Sequence, residues 1–124
     1  MSKYFNKKVV VDGVKFDSKK EAEYYLYLKS LEKNHKIYDL KLQPHFILQD
    51  KFKLNGKTIR KIEYIADFSY YSSQDDKLHV VDVKGLKTDV YKLKKKIFEY
   101  QYKIEIEEVW LWQEKIILGV INLM

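Results

Sequence analysis

Residues 79–85 read HVVDVKG, and no other stretch limits the fold so tightly. It has the apolar content of a buried strand, yet it carries Asp82 and Lys84 two positions apart. Side chains alternate faces along a strand, so the two charges share one face while Val81 and Val83 share the other. A strand this apolar needs sheet neighbours, and the acid and base it sets side by side need a reason to be there.

The flanking segments supply the neighbours. VVVDGVKF (residues 9–16) places valines around Asp12-Gly13, a strong hairpin signal. Asp17-Ser18 leads into KKEAEYYLYLKSLEKN, which predicts a helix over residues 19–33 with Ser18 as its N-cap. IYDLKLQPHFILQ is extended chain in which Pro44 marks an edge or a bend. FKLNGKTIRKIEYIADFSYY reads as a second hairpin turning at Asn55-Gly56, and the polar loop SSQDDK follows. After the HVVDVKG strand, TDVYKLKKKIFEYQY predicts a helix over residues 88–102, entered through Gly85 and capped by Thr88. IEIEEVWLW alternates as a strand, and the tail IILGVINLM reads as one more. The expected fold is α/β: an N-terminal β-hairpin, then the order α-β-β-β-α-β, with a mixed central sheet flanked by two helices in a single domain over residues 1–124.

A tight turn centred on Gln74-Asp75 would pair the central strands so that Asp67 stands opposite Asp82. Directly opposed residues have Cβ atoms roughly 5 Å apart, where two carboxylates repel unless a cation lies between them. A hard divalent ion with oxygen ligands, Mg²⁺ or Mn²⁺, suits such a pair, and Lys84 lies on the same face. On the first helix, Tyr24, Tyr25 and Leu28 fall within about 60° of Glu21, so this glutamate sits in the inward apolar stripe. The spacing serves two readings equally: a third acid for the site, or the return arm of a Ser18-x-x-Glu21 capping box. On the second helix Val90, Leu93, Ile97 and Tyr100 mark the inner stripe, with Lys92, Lys95, Lys96 and Lys103 as a solvated basic face. Lys94 and Gln101 fall at the stripe's edge. His35, His45 and His79 are too scattered for a zinc site, and Tyr70, Tyr71, Trp110 and Trp112 read first as packing residues.

Charge points to the partner. The net +6 is almost all lysine, Arg60 being the single arginine, which suits an anionic partner such as nucleic acid and contact with its phosphates rather than bidentate reading of bases. Lys87, Lys94, Lys95 and Gln101 are the candidates for phosphate contact. Without cysteine there is neither a disulfide frame nor a thiolate metal site, and a cytoplasmic protein is expected. MSKYFNKK carries no apolar secretion run and IILGVINLM is too short to span a bilayer, so no membrane partner is expected.

FDSKKEAEYY, then IADFSYY, then HVVDVKG followed by TDVYKLKKK is a series that resembles the PD-(D/E)XK nuclease superfamily, in particular a set of small, mostly phage-borne proteins within it. The resemblance covers residues 9–110 and departs from the signature at Ala66, where a proline would precede the aspartate. It implies a restriction-endonuclease-like core and a metal-dependent endonuclease acting on DNA. Asp67, Asp82, the backbone carbonyl of Val83 and Glu21 would hold Mg²⁺ or Mn²⁺, and Lys84 would position or deprotonate the attacking water. The scarcity of arginine favours branched or junction DNA over a base sequence as the target, in phage recombination or genome processing within the host cytoplasm. Cutting both strands of a symmetric junction would need a homodimer. The competing expectations are a non-catalytic nucleic-acid-binding module and a small phage protein acting on a host partner.

Overall fold

The computed structural model describes residues 8–84 and 86–110; Gly85, Trp112 and the strand expected in IILGVINLM lie outside them. β1 (Val9–Val11) and β2 (Val14–Phe16) form the first hairpin. Its turn residues Asp12 (φ 53°) and Gly13 (φ 77°) are both left-handed, as a type I′ turn requires. α1 (Lys19–Lys33) starts where Ser18 Oγ accepts the Glu21 backbone N–H at 3.1 Å. α2 (Asp89–Tyr102) starts at the Thr88 cap. No helix among the described residues is long and apolar enough to cross a membrane.

Between the helices run β3 (Ile37–Leu42), β4 (His45–Gln49), β5 (Phe52–Leu54), β6 (Lys57–Ile59), β7 (Ile62–Ile65), β8 (Phe68–Ser72) and β9 (Leu78–Lys84); β10 (Ile106–Trp110) follows α2. The main sheet is four-stranded and mixed, in the order β10-β9-β8-β3. β3, β8 and β9 are antiparallel neighbours. β9 and β10 are parallel, and α2 is the crossover that a parallel pair needs. Counted along this sheet, the elements come in the expected order α-β-β-β-α-β.

The expected second hairpin takes a different form. Its tip is at Asn55-Gly56, but β3–β4 and β7–β8 are the two arms of one longer antiparallel ribbon that bends midway. At the bend Pro44 contributes no N–H; its carbonyl accepts from Ala66, and Gln43 N–H donates to the Asp67 carbonyl at 2.9 Å. The ribbon therefore leaves the main sheet at Asp67 as two smaller sheets, β4–β7 and β5–β6.

Each face of the main sheet buries its own cluster. Phe68, Tyr70, Val81 and Val109 pack with Phe16 and with Ala22, Tyr24, Tyr25 and Leu28 of α1. Val80 and Ile106 pack on the other side with Leu48, Tyr64, Ala66, Tyr91 and Phe98. The α2 stripe expected from aliphatic spacing is overturned: Val90, Leu93 and Tyr100 are exposed, and Tyr91 and Phe98 are the buried residues. Aromatic rings fill more of the space over the sheet than the aliphatic arc would, so the helix turns them inward. That rotation also brings Lys95, expected in solvent, to a half-buried place beside Glu99 and Glu108.

Candidate functional site

β9 positions the central acid. Val80, Asp82 and Lys84 share the α2 side of the sheet while Val81 packs toward α1. Asp82 is buried at 4% exposure, with one carboxylate oxygen taking the Tyr64 hydroxyl and the other 2.9 Å from Lys84 Nζ. Lys84 in turn lies 3.5 Å from the centre of the Tyr91 ring, a cation–π contact that holds the ammonium group over the sheet.

Asp67 occupies the ribbon's bend. The register expected from a centre at Gln74-Asp75 holds, although the loop is wider than a two-residue turn and is closed by Ser72 N–H to the Lys77 carbonyl. Paired strands end at Phe68 opposite Val81, and Asp67 turns out of the ladder: its N–H donates to the Val81 carbonyl and its Oδ2 accepts the Val83 N–H at 2.6 Å. With its carbonyl on Gln43 as well, Asp67 is tied to the strands on both sides.

Glu21 comes from the opposite layer. It is 8% exposed, and only its backbone N–H is used by Ser18; the carboxylate is directed to Asp67, with no return bond to Ser18. Two of the acids, Asp67 and Glu21, are raised. Burial, then the charge of Asp82, then that of Glu21 push the Asp67 carboxyl up to about 8, against the lowering effect of the Val83 N–H. Burial first, with the Asp17 charge next, also raises Glu21. No group of three or more His, Asp or Glu side chains among the described residues is spaced to hold a metal ion.

The cleft over these residues has a volume of about 790 Å³. Asp67, Asp82, Lys84 and Tyr64 line it together with Lys94, Ile62, Ile65, Val90, Leu93 and Ile97. The aliphatic arc of α2 that the sequence placed in the core is thus a wall of this cleft. Lys94 lines it as well. Lys87 pairs with Glu108 at 3.1 Å, Lys95 lies 3.9 Å from the same residue, and Gln101 is not a cleft residue: its amide donates to the Leu48 carbonyl at 2.8 Å.

Three site residues escaped sequence reasoning: Tyr64, Tyr91 and Glu108. Glu108 is the register partner of Asp82 on β10, and it accepts the Tyr91 hydroxyl at 2.7 Å. Burial raises its pKa, but the Tyr91 hydroxyl, Lys87 and Lys95 together outweigh that and hold it below the usual glutamate range. A signal was present, since Glu108 has the parity of Ile104 and Ile106 and so is an acid on the inward face. For the tyrosines no comparable signal exists.

A family model described as "Protein of unknown function (DUF1064)" matches residues 1–116. No curated protein and no solved structure matches the chain.

Proposed function

The chain belongs to the DUF1064 family, whose description assigns no activity, and we propose from the site that it is a metal-dependent endonuclease hydrolysing phosphodiester bonds in DNA. The observation that carries the reading is that Asp67, Asp82 and Lys84 line one open cleft, with Glu21 reaching Asp67 from the α1 layer and Lys84 beside Asp82. The order of elements in the main sheet and the Asp-x-Lys pair on its parallel strand also agree with the PD-(D/E)XK resemblance and a restriction-endonuclease-like core.

The chemistry of the donors suits a hard divalent cation, although the described side chains are not spaced around one. All the available atoms are oxygens, and the acids carry more negative charge than the site tolerates, so that a proton is retained on Asp67 near neutral pH. Asp67, Asp82, the Val83 carbonyl and Glu21 are the residues that would hold Mg²⁺ or Mn²⁺. Bound there, the ion would neutralise a scissile phosphate and acidify a water. Lys84 Nζ lies 2.9 Å from Asp82, placed to offset the charge that develops on a phosphate under attack. Tyr64 holds the other Asp82 oxygen, so the carboxylate is fixed between a hydroxyl and an ammonium group.

The test is a panel of linear, flap, hairpin and four-way-junction DNA with Mg²⁺, Mn²⁺ or chelator. Cleavage with metal is expected, faster on branched substrates, and Asp82→Ala should abolish it while leaving binding. Purified protein that cuts neither DNA nor RNA with any divalent metal overturns the proposal.

A further inference from the structure

We propose that the β5–β6 hairpin is a DNA-binding arm that lays its basic face along the phosphates of B-form duplex beside the cleft, an inference that rests on nucleic acid being the substrate. Every residue from Gln49 to Ile62 is exposed, and the two strands form a sheet of their own. The turn at Asn55 (φ 51°) and Gly56 (φ 76°) gives the tip a fixed type I′ geometry.

The charge is concentrated here. Lys51, Lys53, Lys57, Arg60 and Lys61 against Asp50 alone give this segment four of the chain's six net positive charges, and the only arginine. Among the described residues Lys51, Lys53, Lys57 and Arg60 form no ion pair, and Lys61 is 3.7 Å from Glu63. The register sorts the side chains by face: Phe52 opposes Ile59 and Leu54 opposes Lys57 on one side, while Lys53 opposes Thr58 on the other, with Lys51 and Arg60 next in line. One face of the ribbon is therefore basic and the other mostly apolar, with Phe52 44% and Leu54 58% exposed. A second copy of the arm would bring like charges together, so self-association is disfavoured. An exposed cationic ribbon matches a polyanion, and the major groove of B-DNA is wide enough for a two-stranded ribbon, whereas that of duplex RNA is too narrow.

Position supports the same partner. Lys61 and Ile62, at the foot of the arm, line the cleft that holds Asp67 and Asp82. From there to the tip the strand rises about 17 Å, roughly five base pairs of duplex. DNA seated at the carboxylates would meet the arm half a helical turn away.

The experiment measures binding of a labelled duplex of about 20 base pairs in EDTA across a salt series, with each charge removed releasing about 0.9 of a counterion fewer. Lys51→Gln, Lys53→Gln and Arg60→Gln combined should flatten the slope of log K against log salt by about 2.7, and weaken binding on the order of 100-fold at about 0.1 M salt. Phe52→Ala, on the face turned away from the phosphates, should leave both affinity and slope unchanged. All four positions are exposed, so unchanged thermal unfolding is the control. Absent binding by the native chain, or a native slope in the triple variant, overturns the inference; a loss of binding in Phe52→Ala as large as in the triple variant overturns the choice of the basic face. Because no metal is present, the outcome is separate from cleavage. An active nuclease whose triple variant binds like the native chain removes the arm alone, and arm-dependent binding by a protein that cuts nothing removes only the nuclease reading.

Discussion

Asp67→Asn should make the protein more stable, and only above acid pH. The folded chain holds the Asp67 carboxyl near 8 against an ordinary value of 3.8. Between those values the native state keeps a proton that the unfolded state has released, so stability falls as pH rises, and the loss is complete above the folded value. From about pH 5 to about pH 8 the integrated penalty is roughly 3–4 kcal/mol, at about 1.4 kcal/mol per unit of pH over most of that range. Asparagine keeps an oxygen for the Val83 N–H and has nothing to ionise. Thermal unfolding in chelator should show native and variant close together near pH 4, and the variant higher by on the order of 10 °C near pH 8. Adding Mg²⁺ should raise the native unfolding temperature and leave the variant's almost unmoved, since ligand binding to the native state is what adds stability. A variant no more stable than native near pH 8, or equally shifted at both pH values, would refute the account of three acids confined together.

Tyr64→Phe keeps the ring among Phe46, Tyr91 and Phe98 but removes a donor to a buried carboxylate, and should cost roughly 1.5–3 kcal/mol in urea unfolding. Lys84→Met leaves Asp82 without its cation and should cost about 3 kcal/mol; adding Asp82→Asn should recover most of that, and simple additivity of the two changes would contradict the pairing. Ser18→Ala should cost about 1 kcal/mol by removing the α1 cap. Because the Glu21 carboxylate is directed to Asp67, Ser18→Ala should leave the pH profile of stability as it is; a profile altered like that of Glu21→Gln would restore the capping-box reading.

Features set by a few neighbouring residues were legible in the sequence. Asp12-Gly13 and Asn55-Gly56 fix their turns, Ser18 and Thr88 start their helices, and the β8–β9 register follows from where the polar loop is centred. The α2 face was not legible, because the helix has two apolar arcs and spacing cannot say which one the sheet selects. Tyr91 and Phe98 won over Val90 and Leu93, while Ile97 stays half-buried against the same cluster. Nor was the bend at Pro44 readable as a departure from the sheet, since a proline allows either an edge strand or a corner. That corner is what turns Asp67 out of the ladder, so the site depends on the one junction where local rules left two answers.

The same corner explains why Asp82 and Lys84 are adjacent on an otherwise apolar strand. A buried carboxylate needs a counter-charge at all times. Lys84 supplies it from the same face of β9, and the Tyr91 ring keeps the ammonium group over the sheet. Asp67 has no such lysine among the described residues; burial and the charges of Asp82 and Glu21 outweigh its Val83 N–H, a dipole rather than a charge, and it keeps a proton instead. The two aspartates thus stand in different surroundings for a geometric reason. One sits within a strand, where period two brings a lysine alongside. The other sits at a bend, where no strand neighbour shares its face. A cation arriving at the cleft would displace the proton of Asp67 and leave the Asp82–Lys84 pair intact. Uptake of Mg²⁺ near pH 7 should therefore release close to one proton per ion, measurable by calorimetry in buffers of different ionisation enthalpy. Uptake with no proton release would place the ion elsewhere than at Asp67.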